Sequence, residues 1–148
     1  VFEIVPHRAR GYTKIDDKVK NAGLMDSSYK IPGGGYVTNS EDLVRFAQAL
    51  MNGRIVKPDT LKQMWTPAKI AGNGKPSTYG LGFGVAMIDG EMYVAHSGGQ
   101  QGTSSYLAII PGKHFAVAAL ANMDDVDPSS VVREILDLFN MPHPKPTK

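Results

Sequence analysis

Tyr79-Gly80-Leu81-Gly82-Phe83-Gly84-Val85-Ala86-Met87-Ile88, then Asp89-Gly90, then Glu91-Met92-Tyr93-Val94-Ala95-His96 is the stretch that sets the fold class. Two apolar segments with β-branched and aromatic residues flank an Asp-Gly step. Those two residues tolerate the positive φ angles of a tight hairpin turn, so the run predicts a β-hairpin. A second pair follows, with Ser105–Ile110 and Phe115–Ala121 flanking Pro111-Gly112-Lys113. Four strands in this order predict an antiparallel meander.

Helices bracket the meander. Upstream, Thr38 with Glu41 three residues on has capping-box spacing, and Leu43, Phe46, Ala47, Leu50 and Met51 recur on one helical face. Gly53 fits the position just past the end, and Pro58 opens a short second helix carrying Leu61, Met64 and Trp65. Downstream, Asp127 caps a helix with Pro128 in its first turn and Val131, Val132, Ile135, Leu138 and Phe139 as its apolar face. Val1 to Lys30 reads as irregular, Lys30–Gly35 as a proline–glycine turn, and residues 68–78 as a polar surface loop. Met141–Lys148, with three prolines, reads as a flexible tail. Helices, strands, then a helix give an α/β protein in α+β order, an antiparallel sheet flanked by helices.

At 148 residues, with 42% apolar and 20% charged side chains, the chain has the length and composition of one globular domain. A net charge of +2 from scattered basic residues does not point to nucleic acid. No apolar run approaches the roughly 20 residues of a membrane helix. The absence of Cys excludes disulfides, thiolate metal sites and cysteine nucleophiles. The four histidines lack metal-ligand spacing, so neither metal nor cofactor is expected. Val1-Phe2-Glu3-Ile4 has no basic leader, and a start on Val points to a processed or excised piece.

The chemistry concentrates at His96-Ser97-Gly98-Gly99, where the second strand is expected to end and a loop to open. An imidazole supplies a proton or a hydrogen bond near neutral pH. Ser97 offers a hydrogen bond, and Gly99 an unobstructed N–H for a developing oxyanion. In a strand, His96 equally fits a half-buried histidine with its hydrogen bond satisfied, and Gly98 and Gly99 fit a plain turn. No convincing nucleophile faces this stretch. Ser27-Ser28-Tyr29-Lys30 matches Ser-x-x-Lys, but Pro32 and three glycines follow at once, so no helix can carry Ser and Lys on one face. Gly80-Leu81-Gly82-Phe83-Gly84 reads as close strand packing. Asp124, Asp125 and Asp127 read as a solvated loop and helix cap.

Taken in order, several segments resemble the serine β-lactamase and penicillin-binding-protein-like family, in its class C and esterase-like branch. They are Arg8–Tyr12, Pro32–Leu43, Tyr79–Phe83, His96-Ser97-Gly98 as a His-x-Gly version of the Lys-Thr-Gly motif, and Leu120-Ala121-Asn122. The resemblance implies a partial β-lactamase/transpeptidase-like fold, with residues 1–140 its C-terminal part and 141–148 a tail. It implies hydrolysis of an ester, amide or β-lactam through an acyl-enzyme, with a small-molecule substrate and a bacterial, periplasmic or secreted setting. His96 would be the catalytic acid/base or orienting residue, and Ser97, Gly98 and Gly99 would bind substrate. The family's Ser-x-x-Lys and Tyr-x-Asn motifs would lie upstream, so this chain alone is expected to be silent. The rival is a non-catalytic structural or ligand-binding module on the same fold. At the family's carboxylate-recognising positions stand Asp127 and Ser130, which disfavours an anionic substrate group. In the family the last strand also pairs with an N-terminal strand, so Phe115–Ala121 is expected to need a neighbour. A homo-oligomer or the missing N-terminal half would supply it.

Overall fold

A computed structural model describes residues 5–69 and 77–145. The principal sheet has four antiparallel strands in sequence order, β3 (Gly84–Ile88), β4 (Glu91–Gln100), β5 (Thr103–Ile110) and β6 (Phe115–Ala121). A two-stranded sheet, β1 (Tyr12–Ile15) and β2 (Lys18–Asn21), precedes it. The meander is therefore as expected, except that its first strand begins at Gly84 and not at Tyr79, which makes only an isolated bridge. Asp89 and Gly90 both take the positive φ their hairpin turn requires, 51° and 81°.

Pleating divides the core in two. Val85, Val94, Leu107 and Ile109 pack with Ala47 and Leu50 of α1 (Ser40–Met51) and with Leu61 of α2 (Pro58–Met64). Tyr93, Ala95, Ala108, Ile110 and Val117 pack with Val132 and Leu136 of α3 (Pro128–Leu138). Successive strand residues alternate between these layers, as the period of two demands. The fold is thus a helix–sheet–helix sandwich of the expected α/β kind.

Further details differ from the sequence expectation. Asn39, not Thr38, caps α1, accepting the Asp42 N–H at 2.8 Å while its own amide donates to the Asp42 carboxylate at 3.0 Å. An Asn side chain at that position reaches N3 as well as a Thr does. The buried face of α3 is Val132 and Leu136, while Leu138 is 81% exposed and Phe139 59% exposed. The expected stripe is rotated, because the sheet lies under the Val132–Leu136 row. Residues 12–21 form a hairpin where irregular chain was expected, with Asp16 and Asp17 at φ 50° and 58° in its turn. Finally, β4 does not end at His96. It runs to Gln100, since β5 offers Leu107, Tyr106, Ser105, Ser104 and Thr103 as partners for His96 to Gln100. Pairing with a neighbour overrides the poor strand preference of two glycines.

The first hairpin is tied to the far end of the sheet. Tyr12 N–H donates to Asn122 O at 2.9 Å and Asp124 N–H to Tyr12 O at 3.1 Å. Gly102, at the β4–β5 turn with φ 72°, lies so close to Gly11 and Ala22 that a Cβ would sit 2.7 Å from the Ala22 Cβ. The expected loop at 68–78 falls mostly on residues 70–76, outside the described residues. Of the tail, residues 141–145 carry neither helix nor strand. Met141 packs against the α3-side core, and His143 Nε2 lies 2.8 Å from Asp137 Oδ1.

Candidate active site

β4 outruns β3. The pairing of these strands stops at Gly84–Ala95, so among the described residues His96 to Gln100 pair only with β5. One side of their backbone is an open strand edge. The four residues singled out from the sequence therefore all sit on one accessible strand end.

The pleat separates them. His96 lies opposite Leu107, which belongs to the α1/α2 layer, while Ser97 lies opposite Tyr106, which packs on the α3 layer. The imidazole and the hydroxyl thus project to opposite faces of the sheet. The His96 ring is exposed, meets Tyr79 edge-on at 6.1 Å, and has no hydrogen bond among the described residues. It is not the satisfied core histidine that a strand position also allowed. Gly98 faces Ser105, whose hydroxyl occupies the space a Cβ would need. Gly99 has open space on that side, with nothing within 4 Å of the position a Cβ would take.

Two cavities meet at this edge. One, of about 330 Å³, is lined by His96, Ser97, Tyr79, Tyr93, Tyr106 and Pro144. In its wall the Tyr93 and Tyr106 hydroxyls lie 3.3 Å apart. Burial, and then the hydrogen bond with Tyr106, push the Tyr93 phenol well above its ordinary range. The other cavity, of about 750 Å³, runs from Ser97 and Gly99 across Ser104 to the loop between β6 and α3.

Sequence reasoning missed the residues that hold the strand end in place. The Gln100 side chain accepts the Ser27 hydroxyl at 3.1 Å and donates to the Gly34 carbonyl. It pins the glycine turn against β4, and Gly34 adopts φ 119°, which favours Gly. Asp124 Oδ2 accepts the Gly102 N–H at 3.1 Å, fixing the β4–β5 turn from the other side. The position of Gln100 directly after the motif was the available signal. Asp124 had none, because its partner is a backbone N–H 22 residues away. The Ser27–Lys30 stretch is helical where no helix was expected, since Ser27 precedes a 3-10 helix over Ser28–Gly33 that tolerates Pro32 and is kinked at Lys30. The Ser27 hydroxyl is spent on Gln100, and the Lys30 ammonium lies 5.6 Å from the Tyr29 ring centre.

An antiparallel sheet between helical layers, with an open strand end bordered by two cavities, defines the class as a β-lactamase/transpeptidase-type fold. Solved structures share it. A D-amino acid amidase from Ochrobactrum anthropi SV3 superposes with a TM-score of 0.72 at 22% identity, over 94% of this chain and 44% of that one. A penicillin-binding protein from Bacillus halodurans does so with a TM-score of 0.70 at 25% identity, over 93% of this chain and 43% of that one. The chain belongs to the beta-lactamase family, whose model matches residues 3–139. The human mitochondrial serine beta-lactamase-like protein LACTB is 29% identical over 134 residues, covering 73% of this chain and 24% of that protein. The chain thus spans about a quarter of the length of that relative.

Proposed function

We propose that residues 1–148 are the C-terminal part of a serine hydrolase that opens an amide, ester or β-lactam bond through an acyl-enzyme. The observation that carries this is the unpaired end of β4, where an unbonded imidazole, a hydroxyl and glycine backbone line the mouths of two cavities. Family membership makes the serine-hydrolase chemistry the natural reading of that edge. The reacting carbonyl lies along the strand, with Gly99 N–H donating to its oxygen as negative charge develops there. Ser97 holds the substrate from the α3 face and Gly98 lets it approach closely. His96, from the other face, orients or exchanges a proton with the attacking or leaving group. The attacking hydroxyl comes from outside this chain. Among the described residues no serine or threonine hydroxyl is hydrogen-bonded to an imidazole ring or a lysine ammonium, and Ser27 is engaged by Gln100. Asp127 lines the larger cavity and Ser130 follows it in α3, so an ester or amide is favoured over a substrate bearing a carboxylate.

The same reading gives β6 a partner. Phe115–Ala121 carries no charge and no proline, and its outer edge is unpaired among the described residues. A groove of about 470 Å³ follows that edge, walled by Val44, Arg45 and Gln48 of α1 and Ile135 of α3. An unprotected edge of this kind takes up another strand. The rest of the parent protein fills it, and a second copy does so when the chain is alone.

Treating the isolated chain with a fluorophosphonate and with a fluorescent penicillin, and reading intact mass, tests the catalytic part. No covalent adduct is expected. Stoichiometric modification of any serine would overturn the assignment of the nucleophile to another segment. It would also exclude the non-catalytic module.

A further inference from the structure

The larger cavity carries acidic groups beyond the Asp127 already invoked. Its wall includes Asp124, Asp125 and Asp127, and among the described residues no Lys, Arg or His lines it. Arg133, outside the lining, lies 3.2 Å from Asp127 Oδ2 and offsets that charge. Asp124 and Asp125 have no ion-pair partner among the described residues. Asp124 uses Oδ2 to hold Gly102, and its Oδ1 is buried without a hydrogen-bond partner. Independently of these acids, Ser104 stands on the cavity floor opposite Gly99. It is 8% exposed, and its hydroxyl has no hydrogen-bond partner among the described residues. The hydroxyl opens on the cavity and is free to donate to or accept from a ligand there, while the buried Asp124 Oδ1 in the same wall lacks the partner that a buried polar atom needs.

We propose that this cavity binds the ammonium end of an amine-bearing amide or ester and rejects substrates that carry a carboxylate there. The proposal rests on the reading of the β4 edge as the reaction site and names the substrate class of that site. The cavity begins at Ser97 and Gly99, so a carbonyl held at the strand end places its own substituent in it. An ammonium there meets the field of uncompensated carboxylates and can donate to the Ser104 hydroxyl. A carboxylate meets the same field with the opposite sign and brings no donor. Asp124 is half-buried, so its part of that Coulomb difference exceeds its value in open water, while exposed Asp125 adds a weaker, screened contribution.

Amide-resonance titration of the isolated chain tests this at about pH 6, where an α-amine is protonated. The probes are phenylalanine amide, N-acetylphenylalanine amide and N-acetylphenylalanine, which are cationic, neutral and anionic. Phenylalanine amide is expected to shift Gly99, Thr103 and Ser104, and to bind at least about tenfold tighter than the neutral probe, with the anion weakest. The double variant D124N/D125N keeps an acceptor for Gly102 and a residue that tolerates the positive φ of position 125. It is expected to lose that preference while retaining the wild-type spectrum elsewhere. Equal or tighter binding of N-acetylphenylalanine, a preference unchanged in the variant, or binding of none of the probes would overturn the proposal. None of these outcomes depends on a nucleophile. Serine labelling of the chain would overturn the assignment of the nucleophile to another segment without touching the charge preference.

Discussion

The sheet has two open edges of opposite character. Along β6 the sequence is Phe115-Ala116-Val117-Ala118-Ala119-Leu120-Ala121, apolar throughout, and the edge is overhung by α1 and α3. At the end of β4 it is His96-Ser97-Gly98-Gly99-Gln100, polar, low in side-chain bulk and open to two cavities. Both expose backbone donors and acceptors. The difference lies in what can satisfy them. A uniform apolar edge in a groove suits a continuous strand, whereas glycines beside an imidazole suit a small polar group. On the function proposed above, one edge takes up polypeptide and the other substrate.

The largest effect should come from the strand that supports both. Ile109 is fully buried near the C-terminal end of β5, paired with Val94 of β4 and Ala116 of β6. Ile109→Ala should cost about 2–5 kcal/mol in urea unfolding, with both edges affected together. A loss below about 1 kcal/mol would mean that β5 is not the common support. Next comes the turn beneath the β4 end. Gly102→Val forces a side chain into a left-handed position already filled by Gly11 and Ala22, and should destabilise by about 1–3 kcal/mol. Its mark in hydrogen exchange is lost protection at Tyr12, whose amide bonds Asn122.

The β6 edge is tested by charge. Ala116→Lys places an ammonium in the groove, and should turn a concentration-dependent assembly into a monomer by light scattering in the micromolar range. A wild-type chain that is already monomeric there would break the contrast between the edges. The smallest effect belongs to Asp127, at the rim of the larger cavity. The Ser129 hydroxyl, assisted by the Ser129 N–H and by Arg133, holds its carboxyl below the usual range. A lowered carboxyl pKa adds stability above the ordinary carboxylate range and loses it as pH falls through the lowered value. Asp127→Ala should therefore reduce Tm slightly near neutral pH and flatten the acid limb of the Tm–pH curve. An unchanged acid limb would contradict the cap.

The meander was legible because Asp89-Gly90 and Pro111-Gly112 are strong local signals, and β6 runs over the residues expected from its apolar run. The helices were legible in place but not in facing. In α3, Leu136 is buried and Leu138 exposed, a choice made by the sheet beneath and invisible in a local stripe. The Asp16-Asp17 hairpin was missed because charged residues around it mask the strand alternation. At the site, the residue types at 96–99 could be read, but their placement could not. Two glycines look like a loop until β5 pairs with them, and only that pairing sends His96 and Ser97 to opposite faces. Gln100 and Asp124 act through partners far along the chain, which no local pattern encodes.

Amide hydrogen exchange on the isolated chain, followed residue by residue at low and high protein concentration, addresses the two edges at once. The outward amides of β6 should gain protection as concentration rises, while those of Gly98 to Gln100 that point away from β5 should exchange rapidly throughout. Concentration-independent exchange along β6, or slow exchange of every amide at the β4 end, would contradict the assignment of one edge to polypeptide and the other to substrate.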